Sequence, residues 1–120
     1  MQIKDPLKEA ELKKNINSFD IISDKISKKV RDQYEENPYP RWRFANITPK
    51  NNFLSILNNA IRPNKINANN QNTAQNVLIA GCGTGQQLVF KTSYENSNIV
   101  AIDLSLSSLA FAKRKMLELK

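Results

Sequence analysis

The sequence predicts an α/β fold in which N-terminal helices precede the start of a doubly wound parallel sheet, in the order β-α-β-α. Apolar residues recur at helical spacing before residue 63, whereas residues 77–80 and 99–102 are short continuous apolar runs typical of strands buried on both faces. A glycine-rich loop follows the first run directly. We therefore divide the chain into a helical region (1–63), an asparagine-rich linker (64–76) and a sheet-forming region (77–120).

Proline residues and side-chain caps bound three predicted N-terminal helices. Asp5 and Pro6 indicate the first start, because the carboxylate can accept from free amides and proline suits the first helical position. The second helix must end before Pro38, and the third runs from a cap at Thr48 to Pro63. Their apolar faces would be formed by Leu12, Ile16 and Phe19, by Ile22, Ile26, Val30 and Tyr34, and by Phe53, Ile56, Leu57, Ala60 and Ile61.

The linker at residues 64–76 is dominated by polar side chains. It holds six asparagines and two glutamines, and Ile66 is its one sizeable apolar residue. Burial cannot offset the conformational entropy that ordering such a segment would remove. We expect the linker to be mobile and accessible to proteases.

The loop at residues 81–85 has the sequence Gly-Cys-Gly-Thr-Gly and precedes a helix expected over residues 86–91. Glycine allows positive φ and leaves space for ligand atoms beside the backbone, and the first amides of a helix favour anionic or polar groups. Asp103 ends the next predicted strand, where an acidic side chain can accept hydrogen bonds from both ribose hydroxyls. These features predict a nucleotide-like ligand at the carboxyl edge of the sheet.

A last helix is predicted after this aspartate. Ser105 can cap its first turn. The residues expected to share its apolar face are Leu106, Leu109, Ala110, Met116 and Leu117.

The glycine spacing separates two cofactor classes. Nicotinamide and flavin dinucleotides are bound by Gly-x-Gly-x-x-Gly, whose third glycine would fall at Gln86, so a dinucleotide-dependent oxidoreductase is the weaker alternative. Residues 77–85, VLIAGCGTG, resemble motif I of class I S-adenosylmethionine-dependent methyltransferases. Residues 100–105, VAIDLS, resemble motif II of the same family.

The resemblance implies a Rossmann-like fold with S-adenosylmethionine as the cofactor. In that family pattern Gly81, Gly83 and Gly85 would wrap the methionine and ribose portion of the cofactor. Asp103 would bind the ribose hydroxyls, and Leu104 would lie against the adenine.

The family pattern is not matched everywhere. Ile79 stands where many members carry an acidic residue near the cofactor's amino group. Catalytic groups of such enzymes usually come from later strands, so the sequence nominates no catalytic residue and leaves the methyl acceptor open. At 120 residues the chain is expected to be an incomplete, inactive domain that needs a missing C-terminal part or another chain. A truncated, non-catalytic interaction or cofactor-binding module is therefore the main alternative.

Residues 34–42, YEENPYPRW, resemble an element found ahead of motif I in a group of bacterial methyltransferases, often with tetratricopeptide repeats upstream. Tyr39 and Trp42 could form a lid over the cofactor pocket, or they could pin the N-terminal helices to the sheet by burying large rings. An RNA-binding role, with Arg41 and Arg43 on phosphates, is the poorer alternative.

Composition excludes several other classes of site and partner. One cysteine, Cys82, rules out an internal disulfide, and without any histidine no metal site is predicted. This cysteine is interpreted as a small residue that fits a crowded loop.

The net charge of +7 is spread along the chain, and we expect its densest basic run, residues 113–115, to be a solvated face and not a nucleic-acid footprint. No apolar stretch is long enough to span a bilayer, so a cytoplasmic setting is expected.

Overall fold

The computed structural model describes residues 4–46, 50–67 and 74–119. It is a mixed α/β arrangement, as the sequence predicts. The elements are α1 (Lys4–Lys13), α2 (Lys25–Glu36), β1 (Asn51–Asn52), α3 (Phe53–Ala60), β2 (Gln75–Ala80), a 3-10 helix (Gln86–Ser93), β3 (Tyr94–Glu95), β4 (Ser97–Ile102) and α4 (Leu106–Glu118).

Strands β2 and β4 form the predicted parallel pair. They run in register from Gln75 beside Ser97 to Ala80 beside Ile102. Strand β2 begins two residues earlier than the sequence indicates, so Gln75 and Asn76 belong to the sheet and not to the linker. A second, unpredicted parallel pair joins β1 to β3. The connection after the glycine loop is a 3-10 helix of 8 residues, which is longer than is usual for this form, instead of the expected α-helix.

The two faces of this sheet differ in exposure. Side chains alternate between half-buried and exposed along β2 and along the first four residues of β4. Leu78 and Val100, which are partners in the register, are 64% and 54% exposed. The prediction of strands buried on both faces is therefore wrong, because no described element covers the side that Leu78 and Val100 share.

Helix α4 packs against α1 and α2 and contributes Ala110, Phe111 and Ala112 to the buried apolar residues. Trp42, Val89 and Phe111 form a buried cluster, against which Met116 and Leu119 pack. The predicted apolar face of α4 is only partly right, because Leu106 and Leu117 are exposed while polar residues lie inside. The buried residues of α4 are Ser107, Ser108, Ala110, Phe111, Ala112 and Arg114.

Helices α1 and α2 depart from their predicted apolar faces. Helix α1 begins at Lys4 and ends at Lys13, so Asp5 lies within its first turn and Ile16 and Phe19 lie beyond it. Helix α2 ends at the predicted place, before Asn37. Ile26 is 73% exposed, so the apolar stripe of α2 is largely unburied. Local periodicity identifies a face but not the element that would cover it.

Helix α3 is capped by Asn52, whose side chain accepts from the amide of Leu54 at 2.9 Å. The predicted cap at Thr48 lies outside the described residues. The side chain of Asn58, within α3, bonds both backbone groups of Ile66: its Nδ2 donates to the carbonyl at 3.2 Å, and its Oδ1 accepts from the amide at 2.8 Å. The start of the predicted linker is therefore tied to α3. Residues 68–73, the centre of the linker, lie outside the described residues.

Candidate cofactor-binding site

The glycine loop starts where the ladder between β2 and β4 ends. The amides of Gly81 and Cys82 both donate to the carbonyl of Ile102, at 2.9 and 3.1 Å. The amide of Gly85 then donates to the carbonyl of Cys82 at 2.9 Å, which closes a tight turn. The loop therefore lies at the carboxyl edge of two parallel strands, the place where ligands bind in open α/β sheets.

All three loop glycines have positive φ, but their surroundings divide them into two kinds. A Cβ added at Gly81 (φ +67°) or at Gly83 (φ +51°) would meet nothing within 4 Å. A Cβ at Gly85 (φ +83°) would lie 2.6 Å from the Cβ of Ala112. Gly81 and Gly83 therefore border open space that a ligand can approach, whereas Gly85 allows α4 to pack against the loop.

Asp103 is held against the loop by two backbone amides. Its Oδ2 accepts from the amide of Gly83 at 2.8 Å, and its Oδ1 accepts from the amide of Ser105 at 2.9 Å. The structure therefore brings together Gly83 and Asp103, as the sequence predicts, and the carboxylate also organises the turn into α4. Each carboxylate oxygen can accept more than one hydrogen bond, so both remain able to accept from a ligand. Leu104 follows in this turn with its side chain exposed.

Cys82 is buried inside the same loop. Burial and, to a smaller extent, the negative charge of Asp103 together raise the pKa of its thiol to about 11. The group is thus protonated at neutral pH, and thiol nucleophiles react as thiolates. This agrees with the interpretation of Cys82 as a packing residue.

Trp42 pins the segment after α2 to the loop. Its ring is 9% exposed and meets Phe111 edge to face, with 6.1 Å between centroids. The indole Nε1 donates to the carbonyl of Thr84 at 2.9 Å, and the hydroxyl of Thr84 donates to the carbonyl of Pro40 at 2.6 Å. For Trp42 the pinning interpretation is supported. Tyr39 is 75% exposed, so it contributes no such anchor.

Glu35 binds the turn that follows Asp103, a role that sequence reasoning missed. Its Oε2 accepts from the hydroxyl of Ser105 at 3.0 Å and from the amide of Ser107 at 2.9 Å, while its Oε1 accepts from Lys13 Nζ at 2.7 Å. Burial raises the pKa of this carboxyl, but these hydrogen bonds outweigh burial and bring the pKa down to about 2. Nothing local distinguishes Glu35 from Glu36, so only its place in the YEENPYPRW element pointed to this region.

The basic run of residues 113–115 is not the solvated face that the sequence predicts. Arg114 is buried, and its guanidinium pairs with Glu9 at 3.0 Å, with Asp5 at 3.5 Å and with Glu118. Lys115 Nζ lies 5.5 Å from the centroid of the Trp42 ring. Most of this positive charge is therefore used inside the protein and is not presented to phosphates.

Comparison with known proteins found no family model, no curated protein and no solved structure that matches this chain. Within residues 4–46, 50–67 and 74–119, no helix is long and apolar enough to cross a membrane. Over the same described residues, no cluster of acidic and cysteine side chains has the arrangement of a metal site.

Proposed function

We propose that this chain is the cofactor-binding part of a class I S-adenosylmethionine-dependent methyltransferase. The observation that carries the proposal is the hydrogen bond between the Gly83 amide and Asp103, beside the open space at Gly81 and Gly83. A ribose-binding acid and a backbone free of side chains thus occur together at the carboxyl end of parallel strands. On this proposal β2 and β4 are the first two strands of a Rossmann-like sheet in a cytoplasmic enzyme.

The residues present fit the proposed cofactor. The free acceptor capacity of Asp103 suits two ribose hydroxyls, and the exposed side chain of Leu104 offers an apolar surface to an adenine ring. Gly81 and Gly83 let the ligand approach the backbone, because no Cβ occupies that space. S-adenosylmethionine, when bound, supplies an electrophilic methyl group. The contribution of the chain is to bind and orient, so the role of these residues is positional.

A non-catalytic, cofactor-binding or interaction module is the second candidate. The exposed pair Leu78 and Val100 favours it, because an apolar sheet face is normally covered by another element or chain. On this proposal the module binds the cofactor without transferring its methyl group, and the face of Leu78 and Val100 is the surface that a partner covers.

Calorimetric titrations with S-adenosylmethionine, S-adenosylhomocysteine and a nicotinamide dinucleotide would test the proposal. We expect the two sulfur ligands to bind and the dinucleotide not to bind. Binding of the dinucleotide alone would replace the proposal with an oxidoreductase. Formation of S-adenosylhomocysteine in the presence of candidate acceptors would then support the methyltransferase. Binding without its formation would support the non-catalytic module.

A further inference from the structure

The segment from Glu35 to Trp42 contacts both parts of the candidate site, namely the glycine loop and the turn that follows Asp103. Trp42 reaches the glycine loop through the carbonyl of Thr84. Glu35, seven residues earlier, reaches the turn after Asp103 through Ser105. Two residues that are close in sequence therefore hold the loop that follows β2 and the turn that follows β4.

The contacts of Glu35 extend to the loop through a continuous set of hydrogen bonds. Lys13 donates to Glu35, and Glu35 accepts from the hydroxyl of Ser105. The amide of Ser105 donates to Asp103, which also accepts from the amide of Gly83. The hydroxyl of Ser105 is fixed further, because it accepts from the amide of Ser108 at 3.1 Å. Each bond in such a set restrains the orientation of the next group.

Trp42 and its segment restrain the glycine loop at a second point, Thr84. Thr84 lies between two glycines of positive φ and is 2% exposed. Its peptide carbonyl accepts from the indole while its hydroxyl donates to Pro40, so both bonds join the loop to the same segment. A loop rich in glycine has many accessible backbone conformations, and external bonds of this kind select one of them.

We infer that Glu35 and Trp42 are positioning residues, which brace the glycine loop and the Asp103 turn in the geometry that binds the ligand. The effect on cofactor affinity rests on the proposed function, whereas the effect on the unliganded loop does not. Because coupling between sites is reciprocal, a ligand that orders the loop also tightens the attachment of this segment.

Amide hydrogen exchange of the unliganded protein, measured in Glu35→Ala and Trp42→Phe variants, would test whether these residues position the glycine loop and the Asp103 turn. The phenylalanine retains an aromatic ring against Phe111 but removes the indole donor. We expect exchange at the Gly83 and Ser105 amides to rise at least tenfold in Glu35→Ala. The Gly81 amide, which donates to the backbone of Ile102, serves as an internal reference and should change little.

Asp24→Ala provides the matched control, because it removes the cap of α2 without touching the site. Glu35→Gln should restore part of the protection, since its amide oxygen can still accept from Ser105 and Ser107. If Glu35→Ala and Asp24→Ala raise exchange equally at Gly81, Gly83 and Ser105, Glu35 contributes only general stability and the inference is overturned.

Affinity provides the second readout and separates this inference from the proposed function. Glu35→Ala and Trp42→Phe should bind S-adenosylmethionine about tenfold more weakly than the unaltered chain, while Asp24→Ala should bind it as the unaltered chain does. Unchanged affinity in both site variants would overturn the positioning role. Failure of the unaltered chain to bind would contradict the proposed function, and the exchange result would still decide whether the brace exists.

Discussion

Glu35 and Ser105, 70 residues apart in sequence, share a hydrogen bond of 3.0 Å that joins α2 to the N-cap of α4. The same carboxylate accepts from the amide of Ser107, so it satisfies one of the free amides at the start of α4. Its negative charge also lies at the positive end of that helix dipole. The N-terminal helices are thus attached to the candidate site through a specific polar contact as well as through apolar packing.

Acidification should weaken this contact in a defined direction. The pKa of Glu35 lies at about 2 in the folded protein, against an ordinary value of 4.5, so its contribution is fully present above pH 4.5. The contribution is lost as the pH falls from 4.5 through 2. Urea unfolding between pH 6 and pH 3 should therefore show a shallower loss of stability in Glu35→Gln than in the unaltered chain. Parallel pH profiles would contradict this assignment, and Glu36→Gln serves as the control.

Substitutions at Gly85 and Gly81 should separate the effect of packing on stability from that of backbone conformation. Gly85→Ala should destabilise the protein most, because the new Cβ would overlap Ala112 and the residue would keep a positive φ. We expect a loss of roughly 2–4 kcal/mol for Gly85→Ala and about 1–2 kcal/mol for Gly81→Ala, where only the backbone conformation is unfavourable. Equal losses in urea unfolding would show that the loop is not packed against α4 as described.

Cofactor affinity should depend on Asp103 and Gly83 and not on Cys82. Asp103→Ala removes a charged acceptor, and the loss of one such hydrogen bond weakens binding by about 10- to 100-fold. Gly83→Val places a branched side chain in the open space beside the loop. Cys82→Ala should leave the affinity within about twofold, because the thiol is buried and protonated. Calorimetry on all three variants checks this order. Similar losses of affinity in all three would contradict the assignment of Asp103 and Gly83 as cofactor-binding residues.

Local patterns predicted strands β2 and β4, the glycine loop and the end of α2, because each depends on residues that are neighbours in sequence. Strand β4 and the Ser105 cap are examples, since apolar runs and capping side chains act within a few residues. Glu35 and Arg114 could not be predicted, because their partners are distant in sequence and are chosen by packing. Local periodicity likewise marked the stripe on α2 but could not show that Ile26 would stay exposed.

Arg114 should be the most costly charged residue to replace. Its guanidinium lies 5.1 Å from the centroid of Phe111 and compensates Glu9, which is itself buried. Arg114→Met leaves that carboxylate without its nearest partner, and breaking a buried pair in this way costs about 3 kcal/mol or more. Lys113→Ala, at an exposed neighbour, should change stability by no more than about 0.5 kcal/mol. Urea unfolding that ranks the two variants equally would contradict the buried ion pair.

The exposed face of the sheet should bind apolar probes. Leu78 and Val100 lie side by side in the register and expose more than half of their surface, and the outer edges of β2 and β4 have no strand partner among the described residues. Such a surface promotes dye binding and association between chains. Replacing both residues with lysine should reduce the fluorescence of a bound apolar dye and shift the protein toward monomer in light scattering. Because both side chains are already exposed, the double variant should lose little stability, and a large loss on unfolding would instead show that this face is covered.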